Sequence, residues 1–179
     1  MTPLRSLLAG AALLALTPNL AAAQQACMQP AEQQHFNVRA LQSQLMVLAI
    51  TCEMHDDYNR FVTKFRPQLA SAFNGVQGHF RRTTGGQHQR QTDQYITNLA
   101  NGQSQVGISQ GTFFCRNQSG LFAEAYNAAN VQALSQISVD RQVPQVYSLP
   151  ACTTPAPRQQ QQRQQGQQRA QGQGQTATR

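Results

Sequence analysis

The chain has 179 residues, with 14 Lys or Arg against 7 Asp or Glu and a net charge of +7 at neutral pH. Residues 24–153 hold nine of the basic and all seven of the acidic residues, whereas residues 154–179 hold four Arg and no acid. The central region is therefore nearly balanced in charge. Without Trp, and with its aromatic residues at helical spacing, it also lacks an evident surface for stacking bases, so nucleic-acid binding is not expected.

The first 23 residues have the pattern of an export signal. Arg5 supplies a positive charge, Leu7 to Leu16 is a ten-residue apolar run, and Ala21 to Ala23 supplies the small residues that a signal peptidase requires. Cleavage would leave a chain that starts at Gln24. The apolar run is shorter than the roughly 20 residues of a bilayer-spanning helix, and no second run of that length follows, so no transmembrane segment is expected after cleavage.

A lipoprotein is the alternative interpretation of this leader, because Cys27 follows the apolar run closely. A lipobox has an aliphatic residue three positions before the cysteine and small or apolar residues between. Gln24 and Gln25 do not fit that pattern. We therefore favour a role for Cys27 in a disulfide.

Four segments of helical period follow the leader. The first spans residues 30–52 and is rich in Leu, Met, Gln and Ala, which favour helix. The second begins near Tyr58 and has the clearest apolar stripe of the chain. Pro67 lies inside that stripe and removes a backbone hydrogen bond, so we expect a kink or short break near Arg66. The apolar positions of the second segment are Tyr58, Phe61, Val62, Phe65, Leu69, Ala72, Phe73, Val76 and Phe80.

The third segment, residues 87–109, is weaker, and the fourth runs from Thr112 to about Ile137, with Gly120 as a point of interruption. Residues 143–150 then contain two prolines, which favour an extended strap over the helices. The predicted fold is all-α, a compact antiparallel bundle of about four helices with a C-terminal strap and disulfide cross-links.

The chain thus divides into a signal peptide (1–23), one helical domain (24–153) and a tail (154–179). Eleven of the 26 tail residues are Gln, with Arg and Gly between them and no bulky apolar group. Such a composition cannot offset the entropy lost on ordering, so a disordered tail is predicted.

Four cysteines permit three pairings, and the sequence alone leaves all three open. In an up-down-up-down bundle the first helix ends where the fourth begins, which places Cys52 near Cys115. By the same topology Cys27 and Cys152 meet at the opposite end. This pairing closes both ends and is the one that we favour. A redox or zinc-finger role is not supported, because the chain has no Cys-x-x-Cys motif.

The densest polar cluster, residues 52–57 (CEMHDD), could supply chemistry. Glu53, His55 and Asp57 are the residue types that bind a metal or act as general acids and bases. The simpler interpretation, which we favour, is a connection in which an Asp caps the second helix and His55 lies in solvent.

The other polar candidates are isolated. His35, His79 and His88 lack the spacing of a zinc-binding helix, and surface positions are expected for them. Ser119 lacks the Gly-x-Ser-x-Gly context of a nucleophile elbow. No catalytic residue, metal ligand or cofactor is therefore predicted.

One basic cluster, Arg81 and Arg82 with Arg90 nearby, is a candidate contact for an anionic group. The plainer interpretation is a solvated helix end, where cations interact favourably with the helix dipole. Four widely spaced Arg residues in the tail would add only a weak, salt-sensitive contact.

Residues 41–69 (LQSQLMVLAITCEMHDDYNRFVTKFRPQL) and 111–115 (GTFFC) resemble a group of small exported proteins of Gram-negative, alphaproteobacterial cells. The resemblance rests on the Leu-rich helix that ends in Cys52, the Tyr-Asn-x-Phe-Val run and Cys115. It implies export and a compact helical domain, and it brings no catalytic residues with it.

These observations predict an exported, periplasmic or secreted helical protein that acts as a non-catalytic binding or structural module. Its expected partner is an anionic component of the cell envelope or another periplasmic protein. Two alternatives remain at this point: a secreted, metal-dependent or other enzyme that uses Glu53, His55 and Asp57, and a stress or chaperone-like factor that exposes its apolar helix faces.

Overall fold

The structure, a computed structural model, describes residues 26–152. The predicted signal peptide (1–23) and the predicted Gln-rich tail (154–179) lie outside the described residues. Residues 26–152 form helices α1 (Pro30–Thr51), α2 (His55–Lys64), α3 (Arg66–Thr84), α4 (His88–Gln110), α5 (Phe113–Gln118), α6 (Gly120–Asn127) and α7 (Val131–Asp140), with a short 3-10 turn at Gly85–Gln87. None of these helices combines the length and apolarity that a membrane span requires.

Helix α1 is the centre of the fold. It packs against α3, α4 and α7, and its side chains are buried around nearly the whole circumference, including the polar side chains of Asn37, Ser43 and Gln44. A helix enclosed on all sides cannot show a strong two-faced pattern, which explains why its apolar stripe is less regular than that of the second predicted segment. The all-α bundle that the sequence predicts is confirmed.

The predicted break near Arg66 is confirmed, because α2 ends at Lys64 and α3 begins at Arg66. Pro67 occupies the first turn of α3, where its missing N–H costs no helical hydrogen bond. Both helices keep contact with the core on either side of this joint, through Phe61 in α2 and Leu69 in α3.

The fourth predicted segment is divided into α5, α6 and α7. The interruption at Gly120 is found, since α6 begins there. A second break at Ala128 was missed by the sequence analysis. There the Asn130 side chain caps α7 by accepting a hydrogen bond from the backbone N–H of Ala133 (2.9 Å). Because Asn is a preferred residue at a helix start, Asn130 was the sequence signal for this break.

Helices α1 and α7 end in the same way, with a residue in left-handed backbone conformation. Glu53 (φ 58°) follows α1 and Gln142 (φ 49°) follows α7. In each case the next N–H reaches back across the turn, from Met54 to the Ala49 carbonyl (3.0 Å) and from Val143 to that of Ser138 (2.9 Å). These are Schellman-type helix ends, and they redirect the chain sharply.

Both favoured disulfides are present, Cys52–Cys115 (Cα–Cα 5.6 Å) and Cys27–Cys152 (4.9 Å). The extended strap is also found. Its last residues pair with the start of the domain, because Met28 donates to the Pro150 carbonyl (2.8 Å) and Cys152 donates to that of Met28 (2.9 Å). The strap therefore runs over the bundle and is covalently fastened at the end that carries Cys27.

Candidate functional site

A buried polar cluster lies at the Cys27–Cys152 end, made by Glu32, His79, Arg82 and Tyr147, and is called here the Glu32 cluster. The first turn of α1 supplies Glu32, the last turns of α3 supply His79 and Arg82, and the strap supplies Tyr147. The Glu32 carboxylate accepts hydrogen bonds from Arg82 Nε (2.8 Å), Arg82 Nη2 (2.6 Å), His79 Nδ1 (3.0 Å) and the backbone N–H of Gln29 (2.9 Å). The Glu32 carboxylate thus joins the start of α1 to the end of α3, and His79 joins these to Tyr147 of the strap.

These contacts determine the charge of Glu32. Burial alone would raise the pKa of this carboxyl group, but the hydrogen bonds from Arg82, from the Gln29 backbone and from His79 lower the pKa to about 2. The carboxylate is therefore ionised at any physiological pH. Its bidentate ion pair with the Arg82 guanidinium has the short geometry of a charge-assisted hydrogen bond.

The His79 imidazole is fully buried and is hydrogen-bonded at both nitrogens. We assign Nδ1–H as the donor to Glu32 and Nε2 as the acceptor from the Tyr147 hydroxyl (2.9 Å), since this tautomer satisfies all three groups. The Tyr147 ring stacks on Phe36, with ring centroids 5.2 Å apart. The cluster consequently holds the strap against α1 and α3.

This arrangement corrects one expectation and changes another. The surface position expected for His79 is wrong, because the core encloses that side chain completely. Arg82 does not stand beside Arg81 and Arg90 as a solvated cation, since it faces Glu32 and the Cys27 carbonyl (2.7 Å). Arg81 and Arg90 are exposed, and their role as an anion contact stays a prediction.

A cleft between α2 and α6, called here the α2–α6 cleft, is the second feature. It has a volume of about 290 Å³ and continues into a shallower groove of about 410 Å³, and the two share Arg60 and Tyr126 as walls. The other residues of the cleft are Met54, Asp57, Ser119, Phe122, Ala123 and Asn127; those of the groove are Asn59, Thr63 and Lys64.

Two cations lie over the Tyr126 ring where the cleft meets the groove. The Arg60 guanidinium lies 4.9 Å from the ring centroid and the Lys64 ammonium lies 4.5 Å from it. Four residues separate them in α2, so both project from the same side of that helix. Lys64 also donates to the Tyr126 backbone carbonyl, which joins α2 to α6 directly.

Asp57 is the acidic group of the cleft and pairs only loosely with Arg60. The closest approach of the two charged groups is 3.8 Å, and their side chains are 42% and 65% exposed respectively. Exposed pairs of this kind contribute about 0 to 1 kcal/mol. The Arg60 guanidinium is therefore available to another anion.

The predicted candidates near residue 55 are separated by the fold. Asp57 lines the cleft, whereas Glu53 and His55 are exposed and do not line it. The expected Asp cap is wrong, since α2 already begins at His55 and Met54 precedes it. Within residues 26–152, no three His, Cys, Asp or Glu side chains are grouped so that they could hold a metal ion.

Ser119 lies in the cleft as well, with its hydroxyl donating to the Arg116 carbonyl (3.2 Å). The part of the cleft that residues 26–152 form contains no histidine to act as its base. The cleft thus places the Ser119 hydroxyl among apolar and charged side chains.

Comparison with known proteins found no match to this chain among protein-family models, curated proteins or solved structures.

Proposed function

We propose that this protein acts outside the cytoplasm as a non-catalytic binding or structural module, with the α2–α6 cleft as its binding face. Two features support its location. Residues 1–23 have the pattern of an export signal, and both disulfides are of a kind that persists in oxidising compartments.

The single observation that carries the binding role is that the cleft stands open on a cross-linked framework. Met54 and Ser119, at the two sides of the cleft, lie close in sequence to the Cys52–Cys115 bridge. The strap and the second bridge fasten the opposite end. A site held in place before binding loses little entropy when a ligand arrives, which favours affinity.

Expression of the full chain in a Gram-negative host tests the location. We expect the envelope fraction to contain a polypeptide that begins at Gln24 and shows no free thiols after alkylation without reductant. A full-length, unprocessed chain in the cytosol with four reactive thiols would contradict the proposal.

Crosslinking and pulldown from the envelope test the binding face. Three forms are compared: the full chain, a chain that ends at Thr153, and Tyr126→Ala. We expect partners to be kept without the tail and lost with Tyr126→Ala. Partners that require the tail but not Tyr126 would assign binding to residues 154–179 instead.

A chaperone-like role is the second candidate, because several large apolar side chains are exposed. Ile108 is 70% exposed, Ile50 64% and Phe113 55%. Ile50 and Phe113 each lie two residues from a half-cystine of the Cys52–Cys115 bridge, so both are at that end. Binding of an apolar dye to the native protein, and its reduction in Ile50→Ser with Phe113→Ser, would favour this role. A native protein that binds no dye would exclude it.

A further inference from the structure

We infer that the α2–α6 cleft binds an organic monocarboxylate whose carboxylate is attached to an apolar group. This inference rests on the proposed binding role and specifies the chemistry of its ligand. Two sources share this chemistry, a medium-chain fatty acid and the C-terminus of a peptide that ends in an apolar residue.

Part of the cleft lining is apolar, and it comes from both helices: Met54 precedes α2, and Phe122 and Ala123 belong to α6. Phe122 is only 5% exposed, so core packing fixes its position, while Met54 and Ala123 supply most of the accessible apolar surface. The volume of about 290 Å³ lies at the small end of the range for ligand pockets. An aliphatic group of a few carbons fits this space, and covering the lining removes apolar surface from water.

Helix α2 supplies the positive charge, with Arg60 lining both the cleft and the adjoining groove and Lys64 lining the groove. Arg60 and Lys64 are both held at the Tyr126 ring, 4.9 Å and 4.5 Å from its centroid, which keeps the two cations close to one point. A guanidinium offers a planar pair of donors that matches a carboxylate. Lys64 uses one donor on the Tyr126 carbonyl and retains others for a ligand.

The charge balance favours a single negative charge on the ligand. Asp57 faces the same cleft and offsets part of the positive charge, and it would repel a dianion such as a phosphate monoester. Glu124 on α6 is directed elsewhere, because it pairs with Arg141 (2.8 Å). Across the cleft and the adjoining groove, Arg60 and Lys64 against Asp57 leave a net charge of +1, which the carboxylate of one bound ligand neutralises.

The test uses the oxidised, processed chain and NMR titration of backbone amides. The probes are sodium octanoate below its micelle concentration and N-acetyl-Ala-Leu, with octanol and N-acetyl-Ala-Leu amide as uncharged controls. We expect shifts at Arg60, Lys64 and Tyr126 with the acids, and binding at least about tenfold weaker with the uncharged forms, as the loss of one charge-assisted contact implies.

Charge-removing variants locate the site. Arg60→Gln and Lys64→Gln should each weaken binding of the better acid by about fivefold to tenfold. Arg66→Gln is the matched control, since Arg66 is an exposed cation on the neighbouring helix that does not line the cleft, and it should leave the affinity unchanged. Thermal melts of all three variants check that they fold.

The two acids separate the sources: tighter binding of octanoate points to a free fatty acid, and tighter binding of the dipeptide points to a peptide C-terminus. Equal binding of acids and uncharged forms, or an equal loss in Arg66→Gln, would overturn the inference. No binding of any probe would also overturn it. If envelope partners were still captured through Tyr126, the proposed binding role would stand without a carboxylate ligand.

Discussion

Each end of the molecule contains an acidic residue, an arginine and a tyrosine, but in different surroundings. At the Cys27–Cys152 end, Glu32 binds Arg82 at 2.6 Å, and Tyr147 of the strap hydrogen-bonds to His79, which also contacts Glu32. At the Cys52–Cys115 end, Asp57 approaches Arg60 only to 3.8 Å, and the Tyr126 ring is partly exposed. Because the first set is largely buried, it belongs to the stabilising Glu32 cluster. Exposure leaves the second set free to contact a ligand.

The difference has an energetic basis. A buried ion pair is costly to break, since the group that remains is left without water or partner. An exposed pair is replaced by hydration at almost no cost. Substitutions in the Glu32 cluster should therefore change stability, whereas substitutions in the α2–α6 cleft should change binding.

The disulfides should have the largest effect. They close loops with sequence separations of 125 and 63 residues, for which restriction of the unfolded chain predicts about 5 and about 4 kcal/mol. We expect Cys27→Ser with Cys152→Ser to be the more destabilising pair, because it also frees the strap. Urea unfolding of both double variants measures this. A larger loss of unfolding free energy in Cys52→Ser with Cys115→Ser would contradict this prediction.

Glu32 should make stability depend on acid. Its pKa is about 2 in the folded protein and near 4.5 when unfolded. Because the folded pKa is the lower one, the contribution of roughly 3 kcal/mol is complete above about pH 5 and is lost as the pH falls toward 2. Glu32→Gln should therefore be less stable at pH 7 and converge with the parent near pH 2. Denaturant unfolding measures this. A stability difference between the variant and the parent that stays constant from pH 7 to pH 2 would contradict the lowered pKa of Glu32.

Arg82 and its neighbour Arg81 form a matched pair. Arg82→Gln removes both donors from the buried carboxylate, so we expect a loss of about 2 to 3 kcal/mol in the free energy of unfolding. Arg81→Gln should change it by less than about 0.5 kcal/mol, because Arg81 is exposed. Equal losses in the two variants would show that the contact of Arg82 with Glu32 does not contribute to the free energy of unfolding.

The contrast between enclosed and open positions also exists within α3. A methyl group added at Gly75 would lie about 2.0 Å from the His35 ring, whereas one at Gly78 would meet nothing within 4 Å. We expect Gly75→Ala to cost about 1 to 3 kcal/mol by overpacking and Gly78→Ala to add about 0.5 to 1 kcal/mol through helix propensity. The midpoint of thermal unfolding should fall in Gly75→Ala and rise in Gly78→Ala. A shift of both midpoints in the same direction would refute the close approach of Gly75 to the His35 ring.

Asp57 should have the smallest effect on stability. Its pair with Arg60 is long and exposed, so Asp57→Asn should change the free energy of unfolding by less than about 0.5 kcal/mol. The same substitution should tighten binding of a carboxylate, since it removes the one opposing charge from the cleft. A loss of more than about 1 kcal/mol by urea unfolding would mean that the cleft is part of the stabilising core.

The local chemistry of the sequence predicts much of the fold. Helical period locates four segments, Pro67 marks the joint between α2 and α3, Gly120 marks the start of α6, and two prolines mark the strap. An up-down-up-down order of those segments favours one of the three possible disulfide pairings, and the structure contains that pairing. These features depend on neighbours within a few turns of the chain, and such neighbours can be read from the sequence itself.

The two polar sites were decided by the tertiary structure. Glu32 and His79 are 47 residues apart, and His79 and Tyr147 are 68 apart, so no spacing rule connects them. The α2–α6 cleft likewise needs Arg60 and Tyr126 to meet across a packed joint. The sequence by itself determined which segments are helical, and it favoured one of the three possible cysteine pairings. Only the packing of α1, α3 and the strap decided that Arg82 is half-buried against a carboxylate while Arg60 is exposed, because burial is a property of the whole fold and not of any one segment.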